Sequence, residues 1–135
     1  LQIAVVPYSP LGRGFLTGQL KQLDQFGVDD YRKDIPLFQA ENFEANLEIV
    51  SVLEEMAARK QCKPGQLALA WLHAQGRNIF PIPGTKRRSY LQQNIESLHV
   101  QLSSEELEQI NEVSKQVKGA RKNESGMKLV DKTSA

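Results

Sequence analysis

The sequence predicts an α/β fold in which short parallel strands alternate with helices. Two apolar β runs, residues 3–7 and 79–82, each end in a loop of prolines, glycines, hydroxyls and cations. Helical periodicity fills the sequence between and after them. The resulting order of strand, long loop, helix, helix, strand, helix, helix implies parallel strands joined by right-handed crossovers. Two strands cannot close or cover a sheet. The rest of the sheet is therefore expected from sequence outside these 135 residues, and the start at Leu1, almost on a core strand, reads as a missing N-terminal portion.

The first run, Ala4-Val5-Val6-Pro7, carries β-branched strand formers. Pro7, Pro10, Gly12 and Gly14 then forbid strand or helix to continue. Residues 8–42 hold no convincing period, and a loop of that length reads as a binding loop or lid, with a disordered connector as the plainer alternative. From Phe43 to Lys60 an apolar line of Leu47, Val50, Leu53 and Ala57, flanked by Ile49, Val52 and Met56, predicts a helix. Pro64 fits the first position of the next helix. Leu67, Ala68, Trp71 and Leu72 form its inner face, and Gly76 is its expected C-cap. The second strand follows at Ile79–Ile82, although Pro81 cannot donate to a ladder. A third helix over 87–98 is marked by Leu91, Ile95 and Leu98. Ser103-x-x-Glu106 is a capping box that starts the fourth, flanked by Leu102 and Leu107 as a hydrophobic staple. Leu107, Ile110, Val113 and Val117 continue its apolar face. Residues 1–117 thus form one folded unit, and 118–135 read as a polar, disordered tail.

Composition narrows the function classes. With 40% apolar and 24% charged residues the chain is ordinary globular sequence, and a net charge of +1 offers no basic face for nucleic acid. The single cysteine, Cys62, excludes an intrachain disulfide or a cysteine-rich metal site and fits a reducing compartment. No run approaches the ~20 apolar residues that span a bilayer, so a cytoplasmic protein without membrane partners is expected.

Chemistry concentrates at the two strand ends. Thr85-Lys86-Arg87-Arg88 lies between a strand and a helix, where free N–H groups and the helix dipole favour an anion. A solvated charge run is the plainer alternative, but cations at a helix N-terminus oppose the dipole unless an anion offsets them. Arg13 adds a second cationic contact beside bare backbone. Gly12-x-Gly14-x-x-x-Gly18 departs from the dinucleotide fingerprint by one residue, and no periodic helix follows it. Tyr8 reads equally as a stacking platform for a flat ring or as a half-buried core residue. His73 and His99 stand alone and read as structural, and Asn123-Glu124-Ser125 matches a glycosylation acceptor by chance. No catalytic triad, carboxylate pair or metal cluster can be assembled.

Val6-Pro7-Tyr8-Ser9-Pro10-Leu11-Gly12-Arg13-Gly14, followed by Pro81-Ile82-Pro83-Gly84-Thr85 and by Tyr90-Leu91-Gln92-Gln93-Asn94, closely resembles the aldo-keto reductases over residues 1–117. Asp30-Tyr31-Arg32, Asn42 and Asn46 resemble the branch that holds plant and microbial reductases and the potassium-channel β subunits. The resemblance implies the C-terminal part of a (β/α)8 TIM barrel: strands seven and eight with their helices, plus two extra helices. It implies an NADPH-dependent reductase of aldehydes and ketones as the intact protein, with the N-terminal half of the barrel and a small carbonyl substrate as partners. Tyr8 would stack on the nicotinamide. Ser9, Pro10, Leu11, Gly12, Arg13 and Gly14 would line the pyrophosphate beneath a lid drawn from residues 15–40. Gly84, Thr85, Lys86 and Arg87 would hold the adenosine 2′-phosphate, and Gln93 and Asn94 would meet the adenine. Many relatives carry arginine where this chain has Tyr90 and often glutamate in place of Gln93; Lys86, Arg87 and Arg88 would compensate for the first departure. The family's catalytic Asp, Tyr, Lys and His lie upstream of strand seven, so no catalytic residue is expected in this chain and the fragment alone should be inactive. The rival implications are a regulatory NADPH-binding subunit of the channel type and an inactive truncated product.

Overall fold

A computed structural model describes residues 3–128. Among the described residues five α-helices follow one another: α1 (Ala40–Arg59), α2 (Pro64–Ala74), α3 (Arg88–Glu96), α4 (Ser104–Ser114) and the single turn α5 (Glu124–Met127). Short 3-10 turns occupy Gly12–Thr17, Leu23–Gln25, Tyr31–Asp34, Pro36–Phe38 and Ser97–His99.

The two expected strands are present only as extended segments that touch at isolated parallel bridges, Val5 with Ile79 and Tyr8 with Ile82. Val5 N donates to Asn78 O at 2.8 Å and Phe80 N to Val5 O at 2.8 Å. Continuing that register would require a donor at residue 7 facing the Phe80 carbonyl, and Pro7 has no N–H. Contact resumes only where Ile82 N reaches Pro7 O, at 3.3 Å. Ladder formation thus fails on proline chemistry, while the parallel sense and the register survive.

Helices α1 to α4 form where the apolar periodicity places them, whereas α5 falls in the stretch that the sequence reads as a disordered tail. Helix α1 is the central element because its inner face serves two apolar clusters in succession. Phe43 and Val50 join Phe15, Leu20, Phe26, Ile35 and Phe38 in one, while Leu53, Met56 and Ala57 join Leu67 and Ile110 in the other. Pro64 opens α2 at its first position, where a missing N–H costs nothing. Ser103 caps α4 as expected: its Oγ accepts from Glu106 N at 3.2 Å, and Glu106 Oε2 accepts from Ser103 N at 2.8 Å. Glu106 also pairs with Lys60 at 2.8 Å, tying the end of α1 to the start of α4 and holding the Glu106 carboxyl below its ordinary range. Trp71 Nε1 donates to Asn111 Oδ1 at 2.8 Å and joins α2 to α4.

Residues 15–38 depart from the expected structureless loop. Phe15, Phe26, Phe38 and Phe43 are buried and meet edge to face, with ring centroids 5.4–6.4 Å apart. Four aromatic rings interlocked in this way give an irregular backbone a core of its own. Residues 118–120, where the sequence reads a tail, are strapped to this unit. Asn46, itself buried, donates to Lys118 O at 2.9 Å and accepts from Lys118 N at 2.8 Å, and Leu37 N donates to Ala120 O at 3.2 Å. Residues 129–135 of the expected tail lie outside the described residues.

By contrast, Leu91, Ile95 and Leu98, which mark the apolar face of the third helical stretch, are more than half exposed. Ile3, Val6, Phe80 and Ile82 on the extended segments are exposed to a similar degree.

Candidate functional site

The parallel sense of the bridges sets the geometry. It delivers the turn that begins at Tyr8 and the turn that begins at Pro83 to the same end of the molecule. Between Ser9 and Gly14 the backbone enters the left-handed region repeatedly, at Ser9 (φ 49°), Gly12 (58°), Arg13 (56°) and Gly14 (95°). Glycine occupies that region freely, but serine and arginine do so only when their surroundings hold them there. Such strain concentrates at ligand-binding turns.

Most of the residues singled out in the sequence divide between two cavities. Leu11, Gly14, Gly84, Gln93 and Asn94 line a cavity of about 580 Å³, joined by Thr17, Gln19, Glu54 and Tyr90. Tyr8, Ser9, Pro10, Gly12 and Arg13 form the rim of a second, of about 300 Å³, whose apolar walls come from α1, α2 and α4. Thr85, Lys86 and Arg87 line neither cavity and stand exposed on the approach to α3. Arg87 is the N-cap of α3 and makes no side-chain cap. The Thr85 hydroxyl accepts from Arg87 N at 3.3 Å, and the Arg87 guanidinium lies 5.4 Å above the Tyr90 ring. Tyr90 in turn donates to Gln19 Oε1 at 3.2 Å, linking the head of α3 to the long insertion. Gln93 presents its backbone to the interior, accepting from Gln66 Nε2 at 3.1 Å.

Two further participants, Arg121 and Lys122, carry no sequence signal that assigns them to the site. Arg121 lies over the Tyr8 ring at 4.5 Å and donates to Tyr8 O at 3.2 Å, while Lys122 lies 5.3 Å from the same ring. Arg13 Nη1 donates to Arg121 O at 3.0 Å. Two cationic side chains therefore lie over the partly exposed Tyr8 ring, and Arg13 is tied to the backbone of one of them. Asp30 and Arg32 form a part-buried pair whose closest approach is 2.6 Å, and the guanidinium hydrogen bonds hold the Asp30 carboxyl down to about 2. Arg121 sits in a stretch without periodicity, and no local signal pairs it with Tyr8. Among the described residues no group of acidic, histidine and cysteine side chains is arranged to hold a metal. No described helix is long and apolar enough to cross a membrane.

Comparison with known proteins gives a consistent picture. Residues 1–115 match the family described as the Aldo/keto reductase family. The chain is 50% identical over 121 residues to the protein named aldo-keto reductase yakc, NADP(+), of Schizosaccharomyces pombe, covering 88% of this chain and 36% of that one. It is 39% identical over 133 residues to aldo-keto reductase str7 of Strobilurus tenacellus, covering 97% of this chain and 40% of the relative. The chain thus spans well under half the length of these curated relatives. Among solved structures it superposes on 38% of a glycerol dehydrogenase from Gluconobacter oxydans with a TM-score of 0.76 over 98% of this chain, at 23% identity. At that identity the likeness speaks for the fold alone.

Proposed function

Because this chain belongs to the aldo/keto reductase family, we propose that it is the C-terminal, coenzyme-binding part of a (β/α)8 barrel oxidoreductase that reduces aldehydes and ketones with NADPH. On this reading the two bridged segments are barrel strands seven and eight. The rest of the barrel covers the exposed apolar surface of the segments and of Leu91, Ile95 and Leu98. The coverage of barely two fifths of the relatives' length supports this, as does the name of the S. pombe relative, which cites NADP(+).

The parallel juxtaposition of the two turns carries the reading. A dinucleotide with a pyrophosphate at its centre and a 2′-phosphate on its adenosine needs two anion-compatible loops at one end of the fold, and the Val5–Ile79 and Tyr8–Ile82 bridges hold two turns side by side. The residues present fit the group. Tyr8 is 40% exposed, and a nicotinamide stacked on its ring would share it with Arg121, or displace Arg121, now 4.5 Å above it. The side-chain-free positions Gly12 and Gly14 allow backbone to approach a pyrophosphate. A Cβ at Gly84 would meet nothing within 4 Å, so the second loop is open as well.

In this role Tyr8 orients the nicotinamide by stacking, and Ser9–Gly14 with Arg13 neutralise the pyrophosphate. Thr85, Lys86 and Arg87, at the N-terminus of α3, hold the 2′-phosphate through charge-assisted hydrogen bonds and the helix dipole. Gln93 and Asn94 meet the adenine. When bound, the coenzyme supplies the hydride for the carbonyl carbon, and the proton donor comes from the part of the barrel outside this chain. The 135-residue piece alone therefore has no carbonyl reduction to perform.

The test is a fluorescence titration of the intact protein with NADPH and with NADH. One charge-assisted bond to the 2′-phosphate is worth about 1.5–3 kcal/mol, so Lys86→Ala should weaken NADPH about tenfold or more and leave NADH within about twofold. Equal losses for both coenzymes would overturn the assignment of the 2′-phosphate to this loop.

A further inference from the structure

We infer that Arg32, fixed by Asp30, is a positioning residue that clamps the Gly12–Gly14 turn in its binding conformation and so sets the affinity of the site for the pyrophosphate bridge shared by NADPH and NADH. The inference rests on the coenzyme reading above and adds to it a side chain from the middle of the long insertion.

Arg13 holds a left-handed backbone conformation (φ 56°, ψ 37°) that an L-residue keeps only under external constraint. The constraint is visible. Arg32 Nη1 donates to Arg13 O at 3.0 Å, across nineteen residues of sequence. The guanidinium making that bond is itself immobilised on its other edge: Nε meets Asp30 Oδ1 at 2.9 Å and Nη2 meets Asp30 Oδ2 at 2.6 Å. Its Cζ lies over Phe26, 4.6 Å from the centroid of a ring buried in the aromatic cluster. Asp30 is held in place by the backbone as well, since Oδ1 accepts from Arg32 N at 3.0 Å and caps the short turn at Tyr31.

A planar fork bonded on one edge to a carboxylate, set over a buried ring, and bonded on the other edge to a strained carbonyl transmits the rigidity of the phenylalanine core to the turn. Lysine has no equivalent geometry, because a single ammonium presents no fixed fork. The pair is only partly exposed, with side-chain accessibilities of 23% and 17%, so it is shielded from the screening that weakens surface pairs. Arg32 sits beneath the turn, on its carbonyl side, and acts on a bound phosphate only through the backbone it holds.

This role predicts a particular pattern of loss. Freed from Arg32, the turn samples other conformations, and both nicotinamide dinucleotides lose the same contact. In the intact protein Arg32→Ala should therefore raise the dissociation constants of NADPH and NADH by the same factor, about tenfold for one lost hydrogen-bonded constraint. Adenosine 2′-monophosphate, which carries neither phosphate of the bridge, should bind Arg32→Ala within about twofold of the parent. Deuterium exchange of the peptide covering residues 12–18 should quicken without nucleotide, while exchange in α2 and α4 stays unchanged. If Arg32→Ala does not fold, Arg32→Lys keeps the charge and the stem and should show the same equal loss. Unchanged affinities, or a loss confined to NADPH, overturns the clamp and leaves the coenzyme reading standing. A parent protein that binds neither dinucleotide overturns the coenzyme reading, and this inference with it.

Discussion

Replacing Gly14 with alanine isolates the backbone cost of the turn at the heart of the site. Gly14 sits at φ 95° and ψ −9°, outside the regions an L-residue occupies comfortably. A Cβ built there would lie 3.6 Å from Arg32 Nη1 and 3.9 Å from Leu20 Cδ1, which is ordinary van der Waals contact. Sterics against neighbours therefore add little, and the expected cost is conformational strain of about 1–2 kcal/mol. That is a factor of roughly 5–30 in the ratio of folded to unfolded protein. Gly27 is the matched control, since its added Cβ meets nothing within 4 Å and its φ is not in the left-handed region. Alanine there should be neutral or stabilising by up to about 1 kcal/mol through the unfolded chain. Urea titration of the two variants of the intact protein provides the comparison, with the midpoint shifting for Gly14→Ala and the m-value held constant. Equal stability of the two variants would mean that Gly14 does not adopt the strained conformation, and the geometry argued for the turn would fall.

Two further outcomes follow from the packing and the charges. Phe38→Ala removes a ring that is 2% exposed and meets Phe26 and Phe15 at 5.5 and 5.9 Å. It should cost about 3–5 kcal/mol in thermal or urea unfolding, and a loss below about 1 kcal/mol would show that residues 15–38 do not form a core. Acid should also weaken the fold through Asp30. Its carboxyl is held down from 3.8 to about 2 in the folded state, so its contribution is present above pH 3.8 and lost as the pH falls towards 2. The melting temperature of Asp30→Asn should therefore change less steeply than that of the parent over that window. Parallel curves would deny the pair its role.

Much of this architecture is legible in the sequence because it rests on local signals. The apolar period of Leu47, Val50, Leu53 and Ala57, Pro64 at a helix start and the Ser103–Glu106 capping box each act within a few residues, and α1, α2 and α4 stand where those signals place them. The parallel sense of the two extended segments also follows from the order of elements. The phenylalanine cluster was opaque for the opposite reason. Phe15, Phe26 and Phe38 are eleven and twelve residues apart on an irregular backbone, so no period joins them, and their burial depends on α1 folding over them. The positioning role of Arg32 has no sequence signature, because its partner Arg13 is distant and offers only a backbone carbonyl. Arg121 and Tyr8 meet across most of the chain. The strands shrank to bridges because Pro7 removes the donor that the register demands, an effect visible only once the pairing partner is known.

The most direct measurement is a crystal structure of the intact protein with NADPH bound. The pyrophosphate should lie against Ser9–Gly14 and the 2′-phosphate against Thr85, Lys86 and Arg87, with Tyr8 beneath the nicotinamide ring. A coenzyme seated elsewhere, with neither turn in contact with it, would contradict the proposed site.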